Sequence, residues 1–196
     1  MLAAGGGALT ARQAPRTLGV DPAAFDRTVR PQDDFNRFVN GTWMKTTEIP
    51  ADGSTWGSFV ELADKSDAAP RLAGRPRALE HDAADGQRLL TLGENIGDLS
   101  GLAVAHRAHR MSLAGSPAPV IDGFTGDQRF FLGWAQVWRP RTRDDALRQR
   151  LLTDPHAPGD YRALVPLTNL QAFYDAWDVK PGDRMFRPPN ERVRIW

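Results

Sequence analysis

The chain has no cysteine among its 196 residues. That absence excludes a disulfide framework, thiolate metal ligands and a cysteine nucleophile together, while leaving the compartment open. An excess of either charge is also missing: 25 Lys and Arg face 24 Asp and Glu, for a formal net charge of +1. Nucleic acid or an acidic membrane surface would require a basic field that this balance does not supply. Basic and acidic residues also interleave, as in Arg143-Asp144-Asp145, the pattern of a solvated helix face. No apolar run approaches the roughly 20 residues of a membrane helix, so no transmembrane segment is expected. No glycine-rich phosphate loop and no internal repeat occur.

The N-terminus is poor in early positive charge. Met1 to Ala11 is small and apolar, and Arg12 is its first cation, whereas a secretory signal places positive charge ahead of a stronger apolar stretch. Residues 1–17 are read as a disordered end, with a truncated export signal as the alternative.

What the chain does have is six tryptophans, whose large rings belong to folded structure. Residues 18–66 form a first zone. Phe35, Phe38, Val39 and Trp43 share a helix-like face after Asp34, and Gly41 and Pro50 are expected to punctuate its end. A second short helix is expected over Trp56 to Lys65, with Ser54 as N-cap and Trp56, Phe59, Val60 and Ala63 packed inward. Residues 67–87 carry no apolar period and read as a linker or scar. Residues 88–196 form the third zone. A helix is expected from Glu94 to Ser112, with Ile96, Leu99, Ala103 and Met111 on its apolar side. Another should start at the capping-box pattern Thr125-Gly126-Asp127-Gln128 and run through Phe130, Phe131, Trp134 and Trp138 until Pro140. An amphipathic helix over Arg143 to Leu152, a last helix over Asn169 to Trp177 and an extended tail complete a mainly α fold.

Glu94 and Asp98 are the leading chemical candidates. Four residues apart on a helix, they lie on one face, one turn apart. One carboxylate can ligate a metal while the other holds a neighbouring ligand, although the same spacing also suits a solvated pair near a helix N-terminus.

The string Thr91-Leu92-Gly93-Glu94-Asn95-Ile96-Gly97-Asp98-Leu99 resembles the glutamate motif of the neprilysin-like zinc metallopeptidases, the family that includes endothelin-converting enzyme. The resemblance continues through Pro119-Val120-Ile121-Asp122-Gly123-Phe124, Phe130-Phe131-Leu132-Gly133-Trp134, Asp154-Pro155-His156-Ala157-Pro158-Gly159 and the terminal Arg194-Ile195-Trp196. Pro31-Gln32-Asp33-Asp34-Phe35 and Val39-Asn40-Gly41-Thr42-Trp43 resemble the start of the same family's mature domain. The resemblance implies part of a thermolysin-like catalytic lobe, mainly α, joined to an N-terminal helical segment. It also implies zinc as cofactor, peptides as substrates and a periplasmic or secreted setting. Glu94 is similar to a zinc ligand and Asp98 to the carboxylate that orients a ligating histidine. His156 resembles the histidine that stabilises an oxyanion, and Arg162 the arginine that holds a substrate carbonyl. Gly97 and Ser100 depart from the family's usual alanine and glycine.

The family's His-Glu-x-x-His helix, which brings two imidazoles and a general base, occurs nowhere in this sequence. Its four histidines are His81, His106, His109 and His156. On one continuous helix His106 and His109 lie about 18 and 22 Å from Glu94, and they are read as surface residues. His81 falls in the linker. One histidine and two carboxylates without a general base leave a weak zinc site. The chain is therefore expected to be an inactive, internally deleted peptidase. A non-catalytic peptide- or protein-binding module, or one half of a split enzyme, is the alternative. Helix faces around Phe130, Trp134 and Trp138 are expected to lie under-covered and to suit a partner.

Overall fold

Asp34 starts the first helix. Its side chain accepts from the Arg37 N–H at 3.0 Å, satisfying one of the donors that a helix N-terminus leaves unpaired. Helix α1 (Phe35–Thr46) buries Phe35, Phe38 and Val39, and with them Asn36 and Asn40. Asn40 Nδ2 donates to Asn36 Oδ1 at 2.7 Å and to the Ala135 carbonyl at 2.8 Å. Buried amides need such partners, and this one ties α1 to a helix almost a hundred residues later.

The structure, a computed structural model, describes residues 17–67 and 87–194. Among the described residues six further α-helices follow α1: α2 (Ser58–Asp67), α3 (Gln87–Ser112), α4 (Gly126–Val137), α5 (Asp144–Thr153), α6 (Gly159–Leu164) and α7 (Gln171–Trp177). Among the described residues the strands are one antiparallel pair, β1 (Thr55–Trp56) with β2 (Arg141–Thr142), in register Thr55 to Thr142. The end expected to be disordered, but for residue 17, and the expected linker, but for residues 67 and 87, lie outside the described residues. Among the described residues no helix is long and apolar enough to cross a membrane.

Both outer zones of the sequence build one core. Phe35 of α1 meets Phe173 edge-on at 5.0 Å and Trp177 at 4.9 Å, both from α7. Phe131 of α4 meets Phe173 at 5.4 Å. Edge-to-face rings of this kind add to the stabilisation that area burial alone brings. The expected capping box closes α4 in full: Thr125 and Gln128 each bond the other's backbone N–H.

Several expectations are corrected. Gly41 does not punctuate α1 but lies within it, because a Cβ there would stand 2.6 Å from the Asp26 Cβ; the absent side chain admits a neighbouring segment. Trp56 is a strand residue, so α2 begins at Ser58. Ser54 does not cap it, its carbonyl accepting instead from the Arg143 N–H. Phe59, expected inside, is 56% exposed. Helix α3 begins seven residues before Glu94, and its packed face holds Asp98, Leu99 and Leu102, whereas Ile96 and Met111 are exposed.

The histidines of α3 are not surface residues. The His106 ring stacks on Phe131 at 5.4 Å, and its Nε2 lies 3.1 Å from Asp127 Oδ1. His109 stacks on Phe130 at 5.8 Å. An imidazole offers two apolar faces and a polar edge, so it can pack on rings while reaching a carboxylate. Phe130 is thereby covered, and Trp134 and Trp138 contact each other at 5.7 Å. Exposed apolar side chains include Phe59, whose ring meets Trp138 at 5.3 Å, and Val137 beside Trp138 in sequence, as well as Leu151, Leu152 and Tyr161. Helix α5 buries none of its residues. The tail includes a 3-10 turn, Pro189–Glu191, and Arg192 covers the Tyr174 ring at 3.7 Å.

Candidate functional site

The site forms where α3 crosses α6, and a glycine opens the way. A Cβ on Gly159 would lie 2.5 Å from the Pro140 Cγ, so only glycine lets α6 begin against the end of the α4 segment. Three residues on, Arg162 reaches α3. Its Nε donates to Asp98 Oδ2 and its Nη2 to Asp98 Oδ1, both at 2.7 Å. Side-chain exposure is only 13% for Arg162 and 8% for Asp98. A forked pair this short and this buried is strongly directional. On its other side the guanidinium lies 3.9 Å over the Trp138 ring, a cation–π contact strengthened by desolvation.

Glu94 stands one turn before Asp98 and is about half exposed. Its Oε2 is 3.5 Å from His156 Nε2 and 3.7 Å from Arg162 Nη2. The imidazole is held from behind by Asp154, whose Oδ1 lies 2.8 Å from His156 Nδ1 and accepts from the His156 N–H at 2.9 Å. Arg150 donates to the second Asp154 oxygen at 2.9 Å. Burial pushes the Asp154 carboxyl up, but hydrogen bonds from the His156 backbone and ring and from Arg150 outweigh it and hold the group below the usual carboxylate range. An ionised Asp154 accepts a hydrogen bond from Nδ1–H and so leaves Nε2 facing Glu94.

All four residues singled out from sequence, Glu94, Asp98, His156 and Arg162, therefore meet in one cluster, joined across more than sixty residues. Beside it is a cavity of about 450 Å³ lined by Phe59, Val60, Val137 and Trp138, and by His156 and Arg162. Sequence reasoning missed Asp154, Arg150 and Trp138. The first two sit at i, i+4 with His156 two residues on, a usable signal; the place of Trp138 under Arg162 is decided by tertiary packing alone.

Comparison with known proteins bears on this geometry. Residues 76–193 match the model of peptidase family M13, and residues 31–96 match the model of that family's N-terminal part. This chain belongs to peptidase family M13. The M13 chain is 35% identical to a neutral endopeptidase of Lactococcus lactis subsp. cremoris over 119 residues, which is 60% of this chain and 17% of that protein. It is 37% identical to human endothelin-converting enzyme 1 over 110 residues, 54% of this chain and 14% of that enzyme. In the solved structures, the open state of the Mycobacterium tuberculosis zinc metalloprotease Zmp1 is similar, with 52% identity and a TM-score of 0.54. That likeness covers 55% of this chain and 17% of Zmp1. The M13 chain thus spans less than a fifth of these relatives.

The family implies zinc, and the donors among the described residues of this M13 chain do not fit it. Among the described residues no three His, Asp or Glu side chains gather as a metal cage. Glu94 has one imidazole beside it, and the same carboxylate oxygen faces a guanidinium. A catalytic zinc takes three protein ligands and a water.

Proposed function

We propose that this M13 chain retains the peptide-holding side of the family's site and does not hydrolyse peptide bonds by itself. The reading joins residues 18–66 to 88–196 across a scar at 67–87, with the histidine helix absent between them. One observation carries it: Glu94, His156 and Arg162 converge beside an apolar cavity, while the sequence holds no His-Glu-x-x-His. In this reading the cavity takes an apolar side chain of a peptide. Arg162, steadied by Asp98 and Trp138, directs a guanidinium N–H to a backbone carbonyl, and His156, steadied by Asp154, donates from Nε2 when protonated. Without a general base to activate water, binding is not followed by cleavage.

The test pairs two measurements on the full chain. Hydrolysis of an internally quenched peptide, with zinc added, should not exceed the zinc-only blank. Titration with a short peptide bearing a bulky apolar residue should quench tryptophan emission saturably, and Arg162→Ala should abolish that signal. Zinc-dependent cleavage lost in Glu94→Gln would sink the proposal. The half-exposed position of Glu94 favours a second reading, the split enzyme. Cleavage restored by a separate polypeptide carrying His-Glu-x-x-His, and lost again in Glu94→Gln, would establish it.

A further inference from the structure

A backbone donor and acceptor on the cavity wall lack partners within the fold. Strand β1 has β2 along one edge and, among the described residues, no strand along the other. The Arg143 N–H donates to the Ser54 carbonyl at 2.9 Å, and Trp56 is in register with Arg141. Successive residues of a strand aim their backbone groups at opposite edges, so Ser54 and Trp56 serve β2 and Thr55 faces away from it. Among the described residues the Thr55 N–H and C=O bond nothing, although its hydroxyl meets that of Thr142 at 3.2 Å. Thr55 is half-buried, and it lines the apolar cavity together with Val60, Trp138, His156 and Arg162. The free edge is short, because the Gly57 carbonyl is already taken by the Glu61 N–H of α2 at 2.9 Å. An unpaired strand edge is a template for another extended chain, and polar groups half withdrawn from water gain by finding a partner.

We propose that Thr55 is the backbone docking point for the peptide, which adds to β1 as a short antiparallel strand. One peptide residue donates its N–H to the Thr55 carbonyl and accepts the Thr55 N–H at its own carbonyl. The antiparallel sense follows from there being a single free pair: one residue satisfies it, whereas a parallel strand would draw on two. The cavity then takes an apolar side chain of the same peptide, and Arg162 serves another of its carbonyls. The ligand class is an extended peptide recognised through its main chain as well as one bulky side chain. A helical peptide, whose backbone groups are spent internally, does not fit. The inference rests on the reading of this cavity and cluster as peptide-holding apparatus. It adds to them a contact from residues 18–66, so that both outer zones of the chain grip one ligand.

The probe is a short peptide with one phenylalanine flanked by alanines, acetylated and amidated at its ends, together with analogues N-methylated at one amide at a time. Binding to the full wild-type chain is read by tryptophan quenching and by calorimetry. N-methylation at one position should weaken binding about tenfold, the loss of a hydrogen bond, while the amides on either side of it tolerate the methyl group. The parent peptide should also slow hydrogen exchange at the Thr55 N–H more than at Trp56, whose N–H already serves β2. Thr55→Pro removes the protein's donor at an edge that accommodates proline. It should bind the parent peptide about three- to tenfold more weakly than Thr55→Val, which keeps the N–H and loses only the hydroxyl. Should Thr55→Pro fail to fold, the methylation series and the exchange measurement decide without it. Equal tolerance of every N-methyl group, with Thr55 exchange unchanged, overturns the inference and leaves the proposed function standing on the cavity and Arg162. Absence of saturable binding by the parent peptide refutes both. Thr55 protection that rises with protein concentration in the absence of peptide would show the edge paired with a second copy, and that also overturns the inference.

Discussion

Two glycine-to-alanine changes in helices of this chain should move stability in opposite directions. Within a helix, alanine is favoured over glycine by roughly 0.5–1 kcal/mol, because glycine loses more backbone entropy on folding. Gly97 of α3 realises that gain: a Cβ there meets nothing within 4 Å, so Gly97→Ala should stabilise by about that amount. Gly41 of α1 does not. Its Cβ would fall 2.6 Å from Asp26 Cβ and 3.1 Å from Asp26 Oδ2. Asp26 cannot retreat easily, since it is 5% exposed, its N–H donates to the Phe38 carbonyl at 2.8 Å, and its carboxylate holds Lys45 Nζ at 2.6 Å. Overpacking of this kind costs about 1–3 kcal/mol, which outweighs the propensity gain. The expected net loss for Gly41→Ala is thus on the order of 1–2 kcal/mol. In a chain of this size that corresponds to a melting midpoint lower by about 2–8 °C. Urea unfolding followed by tryptophan fluorescence, with both variants beside the wild type, gives the comparison. A Gly41→Ala variant as stable as the wild type would refute the close approach of α1 to the Asp26 segment. A destabilised Gly97→Ala variant would refute the open environment of α3.

Other consequences can be checked with the same assay. Thr125→Ala removes one half of the capping box of α4 and should cost about 1 kcal/mol, with Thr125→Ser retaining most of it. Arg162→Ala leaves Asp98 buried without its partner and should destabilise by about 3–5 kcal/mol in the absence of metal. The side-chain hydrogen bond from Lys45, joined by those from Thr28, lowers the Asp26 carboxyl to about 2. A depressed carboxylate contributes stability that is complete above its unfolded value and is lost as pH falls through its folded value. Acid unfolding should therefore steepen between about pH 4 and pH 2, and Lys45→Met should shift that loss to higher pH. An acid limb unchanged in Lys45→Met would show that this pair does not govern it.

The sequence by itself determined the mainly α class, the family and the four residues of the cluster, and the reasons are local. Aromatic residues at helical spacing after Asp34 and after Leu170 place the packed faces of α1 and α7. Thr125 and Gln128 write the start of α4 in four residues. Glu94 and Asp98 share a face because helical geometry leaves no alternative. Tertiary structure decided what no local pattern encodes. Spacing put Ile96 and Met111 inside and His106 and His109 outside, but the neighbours of α3 are the rings of Phe130 and Phe131, on which imidazoles stack well. Gly41 looked like a terminator until Asp26 appeared beside it. The partners of Arg162 lie sixty-four residues back on Asp98 and twenty-four back on Trp138. Such contacts depend on how helices cross, and a hydrophobic period specifies a face without specifying what meets it.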